Sequence, residues 1–216
     1  KLGQNKIIIL VPVFNEASNL EMLLPKLKKI GKILIVNDGS TDNTLQIIKN
    51  NKCKSINIKK NSGYENAILT GLKYIRQKQF DYIITFDADG QHKLKDLKRA
   101  QKEIFKSKCD LYLFNRLKKN RFGEILLDFV FNFKFNIKDP LTGFKAFKVS
   151  TLKKINLNSV KKNYLVDLSY IYFKENYKIK NLNILTNKRN GNAKVGSAIS
   201  VNIKILLIIF YYVFRS

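Results

Sequence analysis

Two aspartates, Asp87 and Asp89, follow directly on an apolar run at residues 82–86. The run is rich in β-branched and aromatic residues, which predicts a buried strand. Carboxylates this close repel each other, and burying them unpaired costs free energy. A divalent cation removes the conflict, and such oxygen ligands suit Mg²⁺ or Mn²⁺ with positions left for phosphate oxygens. The pair therefore predicts a metal and phosphate site at a strand end, with a solvated acidic turn as the alternative.

Apolar runs alternate with helical patterns through the first half of the chain, which predicts a mostly parallel, doubly wound α/β sheet flanked by helices. Strands are expected at residues 7–13, 33–36, 55–58, 82–86, 110–114 and 180–185, and the clearest later helices at 122–135 and 165–173. Ligands of such sheets bind beyond the carboxyl ends of the strands. Six polar side chains follow strands in this way: Asn15, Glu16, Asp38, Asn61, Asp87 and Asp89.

The net charge of +25 over 216 residues comes almost entirely from lysine. A compositional bias of the source genome explains this charge as readily as attraction to an anionic membrane, nucleic acid or phosphorylated substrate. Nucleic acid is disfavoured, because the sequence contains no zinc-ligand spacing, helix-turn-helix signature or RNA-binding aromatic motif. His92 is the only histidine, which excludes His-based metal sites and Ser-His-Asp triads. Cys53 and Cys109 are far apart, and we expect unpaired thiols in a reducing compartment.

Six segments in order make the chain resemble the family 2 glycosyltransferases with the GT-A fold, most closely the dolichol-phosphate mannose synthase-like, polyprenyl-phosphate branch. They are VPVFNE at 11–16, VNDGSTD at 36–42, NSGYENAILTGL at 61–72, DADGQH at 87–92, DPLTGFKAF at 139–147 and KRNGNAKVG at 188–196. The resemblance implies one GT-A (Rossmann-like) domain over residues 1–200. The chain departs from the family pattern at Asn37, which replaces the first aspartate of the usual DDGS, and in the short segment between Arg116 and Asp139.

The resemblance implies inverting transfer of a sugar from a UDP- or GDP-sugar with Mg²⁺ or Mn²⁺. It places the metal at Asp87, Asp89 and Gln91, and catalysis at Asp87, Asp89, Arg189 and Lys194. It gives nucleotide-sugar binding to Pro12, Asn15, Glu16, Asp38, Gly63, Asp87, Gln91, Arg189 and Lys194. In the family the basic pair corresponding to Arg189 and Lys194 lies on a mobile loop that closes over the donor phosphates. It places Arg116 near the acceptor, and Asp139 is added to the acceptor side by its position alone.

The chemical class of the acceptor depends on whether the protein has a general base. A sugar hydroxyl needs one, and only Asp139 and Asp167 are candidates, by position alone. A phosphate monoester needs none, because its second pKa is about 6. We therefore expect a dolichyl or undecaprenyl phosphate acceptor, with extension of a surface polysaccharide or glycolipid as the alternative. A non-catalytic nucleotide-sugar-binding protein is a further alternative, disfavoured by the intact DADGQ. A nucleotidyltransferase is disfavoured because Asn15 and Glu16 stand where its phosphate loop would be.

The end of the sequence is basic and apolar. After Asn176 there are five lysines, two arginines and no carboxylate, and residues 205–214 are ten apolar residues in a row. That run is too short for a membrane span of about 20 residues. We expect residues 201–216 to form an amphipathic helix in the membrane interface, which makes the protein cytoplasmic and peripheral at the inner face of the membrane. A core-packed helix and a truncated anchor are the alternatives.

Overall fold

The computed structural model describes residues 6–119, 121–160, 163–187 and 198–214. Its strands are β1 (Ile7–Val13), β2 (Lys32–Asp38), β3 (Ser55–Ile58), β4 (Tyr82–Thr85), β5 (Leu111–Arg116), β6 (Lys145–Lys148) and β7 (Ile179–Ile184). Its helices are α1 (Ala17–Lys28), α2 (Thr44–Asn50), α3 (Tyr64–Ile75), α4 (Leu94–Ser107), α5 (Phe122–Phe135), α6 (Val149–Lys154), α7 (Tyr164–Lys174) and α8 (Ala198–Phe214).

The strands form one sheet in the order β3-β2-β1-β4-β6-β5-β7. β6 runs antiparallel to β4 and β5, while the other neighbouring strands are parallel. The predicted mostly parallel α/β sheet is therefore confirmed. The sequence patterns did not reveal β6, α4 or α6. β1 lies between β2 and β4. Because these three strands are parallel, the loops that follow them lie at the same edge of the sheet.

Each face of the sheet has its own hydrophobic core. Within β1, Ile8 and Leu10 point to one core and Ile9 and Val11 to the other. The first core is covered by α3, α5, α6, α7 and α8, and the second by α1, α2 and α4. Since both faces of the central strands are buried, their sequences are continuously apolar rather than alternating. This packing holds the strand ends, and the polar loops after them, in fixed positions.

The C-terminal helix α8 has one packed face and one exposed face. Ile205, Ile208 and Tyr212 are buried in the first core, and the ring of Tyr212 lies 5.4 Å from that of Phe131 in α5. The helix begins at Ala198, so it extends across the predicted boundary at residue 200. Among the described residues, no helix combines the length and the apolar character that crossing a bilayer requires.

Candidate active site

The carboxylate of Asp87 is held by two side chains at the end of β4. The Tyr64 hydroxyl, at the start of α3, donates to Oδ1 at 2.6 Å, and His92 Nε2 lies 3.0 Å from Oδ2. Burial opposes ionisation of Asp87, but the interactions with His92 and Tyr64 and the charge of Arg116 outweigh it and lower its pKa. Burial and the neighbouring charge of Asp87 raise the pKa of Tyr64 well above its ordinary value, so this hydroxyl remains a donor.

Asp89 lies on the tight turn that follows. Its Oδ1 accepts the backbone N–H of Gln91 at 3.0 Å, and Gly90 between them has a φ of +78°, a region that favours glycine. The carbonyl of Gln91 accepts the backbone N–H of Asn187 at 2.9 Å. The turn is thus joined to the chain that follows β7, two residues before Arg189.

This turn fits a hard divalent cation that also binds phosphate. The described residues contain no cluster of three or more His, Cys, Asp or Glu side chains able to hold a metal. Mg²⁺ does not require such a cluster, because one or two carboxylates usually bind it together with water and substrate phosphates. A carboxylate has about four lone-pair positions, and Tyr64 and His92 use two of those on Asp87. Asp87 therefore retains acceptor positions on the same turn as Asp89.

The loops after β1 and β2 are joined through Asn15. Its Oδ1 accepts the backbone N–H of Thr41 at 2.8 Å and lies 3.4 Å from that of Asp42. Asn15 has a φ of +53°, a conformation that asparagine tolerates better than most residues. Glu16 accepts the side-chain amide of Asn19 at 2.7 Å. Of the predicted nucleoside residues, Asn15 therefore joins the two loops, and Glu16 contacts the first turn of α1.

Asp38 holds the loop before α3 instead of pointing into open space. Its Oδ1 accepts the N–H and the hydroxyl of Ser62 at 2.9 and 2.6 Å, and its Oδ2 accepts the Gly63 N–H at 2.8 Å. A Cβ placed on Gly63 would meet no atom within 4 Å, so this side of the loop is open to a ligand. Pro12 is buried inside β1, opposite Val36 in β2. The structure brings Asp38 and Gly63 together, whereas Pro12 contributes to the sheet.

Arg116 and Asp139, the predicted acceptor residues, form a buried ion pair. Arg116 donates from Nε and Nη2 to the two Asp139 oxygens, each at 2.9 Å, and from its backbone N–H at 2.9 Å. Glu124 lies 3.3 Å from the same guanidinium. Asp139 is 1% exposed, and although burial opposes ionisation, the bonds and charge of Arg116 lower its pKa. An aspartate in this state is a poor general base.

The other candidate base, Asp167, is a residue of α7. Asp167 accepts the hydroxyl of Tyr212 and so links α7 to α8. Arg189 and Lys194 lie outside the described residues. The sequence argument did not include Tyr64 and His92 in the site, although each lies within a segment that carries the family resemblance. The signals were the only histidine of the chain and a tyrosine directly after Gly63.

The decisive comparison is with protein families. Residues 8–126, more than half of the chain, match the family described as "Glycosyl transferase family 2". The chain belongs to glycosyl transferase family 2. This confirms the resemblance and shows that the protein is a transferase.

Two relatives of this family 2 glycosyltransferase match across most of its length. An uncharacterised protein of Methanocaldococcus jannaschii is 30% identical over 225 residues, covering 95% of this chain and 91% of that protein. The UDP-N-acetylglucosamine–dolichyl-phosphate N-acetylglucosaminyltransferase of Methanococcus voltae is 29% identical over 183 residues, 70% of this chain and 73% of that one. The undecaprenyl-phosphate 4-deoxy-4-formamido-L-arabinose transferase of Proteus mirabilis is 32% identical over 108 residues, 44% of this chain and 32% of that one. These relatives include two transferases named for polyprenyl phosphates.

Solved structures support the fold. Glucosyl-3-phosphoglycerate synthase from Mycobacterium tuberculosis has a TM-score of 0.72 at 15% identity, covering 95% of this chain and 80% of that one. A structure of the same synthase with Mn²⁺, UDP and glucosyl-3-phosphoglycerate has a TM-score of 0.71. At this level of identity the likeness shows the GT-A-like fold of the glycosyltransferase and not its substrates.

Proposed function

We propose that this glycosyltransferase moves a sugar from a nucleotide-sugar donor to a polyprenyl phosphate, with inversion, in a reaction that requires Mg²⁺ or Mn²⁺. The observation that carries the proposal is the turn with Asp87 and Asp89. Tyr64 and His92 orient the Asp87 carboxylate and help to lower its pKa, which keeps it ionised. When bound, the metal neutralises charge that grows on the departing nucleoside diphosphate. Asp87, Asp89 and Gln91 are the proposed metal site.

The donor nucleoside lies, in this proposal, between the loops after β1 and β2. Asn15 and Glu16 form one wall and Asp38 shapes the other, where Gly63 leaves room for the ligand. Pro12 supports this pocket from within β1. These residues bind and orient the donor, and the proposal assigns no proton transfer to them.

We assign Arg189 and Lys194 to the leaving diphosphate. The support is the hydrogen bond between the Asn187 N–H and the Gln91 carbonyl, because it joins the chain just before Arg189 to the turn that carries Asp89. Positive charge near the phosphates is worth more in the transition state, where their negative charge grows, than in the ground state.

The acceptor is a phosphate because neither candidate base is available for a hydroxyl. Asp139 is committed to Arg116, and Asp167 accepts a hydrogen bond from Tyr212. A phosphate monoester is already largely ionised at neutral pH and can attack without a base. The relatives from M. voltae and P. mirabilis, named for dolichyl and undecaprenyl phosphates, support a lipid phosphate. Arg116, held by Asp139, is the proposed guanidinium on the acceptor side.

The membrane part of the proposal rests on exposed apolar side chains of two neighbouring helices. The Gly123 N–H donates to Asn202, and Lys134 Nζ donates to the Val213 carbonyl, so α5 and α8 run side by side in the same direction. We call their exposed apolar residues, which are 46–85% exposed, the apolar platform: Phe122, Ile125, Phe129, Phe133, Ile203, Leu206, Leu207, Phe210 and Phe214. A patch of this kind is unusual on a soluble monomer and marks an interaction site. We place it in the inner, anionic leaflet.

A donor and acceptor screen tests the chemistry. The protein is incubated with UDP- or GDP-sugars, Mg²⁺ or Mn²⁺, and either a polyprenyl phosphate in detergent or a free saccharide. We expect transfer to the lipid phosphate only, and loss of transfer with chelator. Transfer to the saccharide alone would favour the polysaccharide alternative. Donor binding without any transfer would favour the non-catalytic alternative.

Flotation with phosphatidylglycerol vesicles tests the platform. The wild type should float, less so at high salt, because surface lysines near anionic lipid contribute roughly 1 kcal/mol each and salt screens them. The double variant Leu207→Gln/Phe210→Gln should lose at least about tenfold in vesicle affinity, since burying each of these side chains is worth about 1.5–3 kcal/mol. Met22→Gln, an exposed apolar residue on the opposite face of the sheet, is the matched control. A wild type that stays in solution would exclude membrane attachment.

A further inference from the structure

Three residues contact or approach the Asp87 carboxylate: one from α3, one from the loop of Asp87 itself and one from the loop before β6. Tyr64, at the start of α3, donates its hydroxyl to Oδ1 at 2.6 Å. His92, five residues downstream, lies against Oδ2. Gly143, in the loop before β6, is so close that a Cβ placed there would lie 2.5 Å from Oδ2 and nearer still to the Tyr64 hydroxyl. The carboxylate is therefore oriented by bonds on two sides and by steric contact on a third.

The loop that carries Gly143 is itself fixed to the strand that carries Asp87. The hydroxyl of Thr85, the last residue of β4, donates to the Gly143 carbonyl at 2.6 Å. Thr142, on the same loop, donates its hydroxyl to the Phe114 carbonyl at 2.9 Å. Gly143 cannot move away to admit a side chain without breaking these buried bonds. The close approach is thus built into the fold.

The chemistry of the Tyr64 contact suits a carboxylate that must stay attractive to a cation. A lysine or arginine in that place would orient Asp87 but would also cancel its charge. A phenol donates one hydrogen bond, remains neutral, and leaves the negative charge on the carboxylate. Tyr64 is 39% exposed, so core packing does not account for a tyrosine at this position. Its hydroxyl makes the contact with Asp87.

We propose that Tyr64 is a positioning residue for the metal–diphosphate site, and that its hydroxyl, enclosed by Gly143, holds Asp87 in the orientation that meets the metal-bound nucleotide. This inference rests on the proposed function. It gives a residue of the NSGYENAILTGL segment a role in orienting a residue of the DADGQH segment, since Tyr64 and Asp87 are 23 positions apart in the chain but hydrogen-bonded. Tyr64 acts through Asp87 and touches no reacting atom.

The test measures binding of UDP, and separately GDP, by calorimetry with and without Mn²⁺. Tyr64→Phe keeps the ring and removes the hydroxyl. We expect nucleotide affinity in Mn²⁺ to fall about tenfold, in line with the loss of a hydrogen bond to a charged group, and affinity without metal to stay unchanged. Gly143→Ala should lose more, because its methyl group displaces both partners. Tyr74→Phe, on the same helix but beside Lys54 and Lys78, is the matched control and should bind as the wild type does.

A double-mutant cycle with Asp87→Asn separates positioning from a general structural role. If Tyr64 acts through Asp87, Tyr64→Phe should change Mn²⁺-dependent affinity less than about twofold in the Asp87→Asn background. Equal losses in both backgrounds, or wild-type affinity in Tyr64→Phe, would overturn the inference while leaving the proposed function intact. A wild type that binds neither nucleotide with Mn²⁺ would overturn the proposed function, and this inference with it.

Discussion

Two aspartates near the same edge of the sheet, the buried Asp139 and the partly buried Asp87, are held by different kinds of partner. Asp139 is paired with the permanent cation of Arg116, which neutralises its charge and fixes its orientation with two side-chain hydrogen bonds. Asp87 is paired with a phenol and an imidazole, which orient it without a permanent positive charge. Both have a lowered pKa. Whether the charge of a carboxylate remains available to a ligand therefore depends more on whether its partner is a permanent cation than on its burial or its pKa.

The largest expected effect is on the aspartates of the turn. Asp87→Asn keeps the shape of the side chain and removes the charge, and Asp89→Ala removes a proposed metal ligand. We predict a loss of transfer of about 10²–10³-fold or more for each, the size seen when one electrostatic contributor is removed from an active site. Steady-state transfer and thermal unfolding are the measurements, with the exposed Glu21→Gln as control. Near-normal transfer, or transfer indifferent to chelator, would contradict the role of this turn.

The second effect should be on stability. Asp139→Asn removes the bidentate partner of the mostly buried Arg116 and leaves Glu124, 3.3 Å away, as its neighbouring carboxylate, so we predict a loss of about 1–3 kcal/mol of unfolding free energy. Urea denaturation measures it. A double variant, Arg116→Met/Asp139→Leu, should recover much of the loss, since removing a buried pair is less harmful than breaking it. If Asp139→Asn unfolds like the wild type but loses transfer, Asp139 acts in the reaction as Asp87 does, and the proposed difference between the two aspartates is wrong.

The third effect concerns the predicted basic pair, Arg189 and Lys194. Arg189→Ala and Lys194→Ala should each lower turnover about 10–100-fold while changing nucleoside affinity far less, because their contact is with charge that grows in the transition state. Turnover and the binding of the free nucleoside are compared for each variant. Parallel losses in both quantities would indicate simple ground-state binding.

The fourth prediction concerns Lys145, whose hydrogen-bond partners among the described residues are all neutral. Lys145 Nζ donates to the carbonyls of Pro140 and Leu165 and to the Ser169 hydroxyl at 2.6–2.8 Å, and burial lowers its pKa to about 7. Above pH 7 the unfolded chain keeps this proton and the folded protein does not. The free energy of unfolding should therefore rise with pH from about 7 to 10, by at most about 1.4 kcal/mol per pH unit.

Urea denaturation of Lys145→Met across the same pH range checks that prediction. The variant should lose the pH-dependent slope, because it has no proton to release. Lys95→Met, a lysine of α4 on the other face of the sheet, should retain it. A slope unchanged by Lys145→Met would assign the pH dependence to other groups.

The sequence could predict where the carboxylates lie but not what holds them. Continuous apolar runs predict buried parallel strands, and strand ends predict the edge where Asp38 and Asp87 occur. The contact of Tyr64 with Asp87 depends on how α3 packs against the end of β4, which no local pattern encodes. β6 was missed because its four residues, KAFK, include the buried Lys145. α4 was missed because its apolar residues are thinly spaced among lysines.

The bond between the Asn187 N–H and the Gln91 carbonyl has a consequence for communication within the enzyme. A nucleotide that steadies the turn at Gln91 also steadies Asn187, so the two regions share a coupling free energy. Coupling of this kind is reciprocal: the factor by which bound nucleotide favours the ordered state of Asn187 is the factor by which ordering Asn187 raises nucleotide affinity. We expect hydrogen exchange of the Asn187 amide to slow when Mn²⁺ and nucleotide are added. An exchange rate indifferent to both would show that nucleotide binding at the turn is not coupled to Asn187.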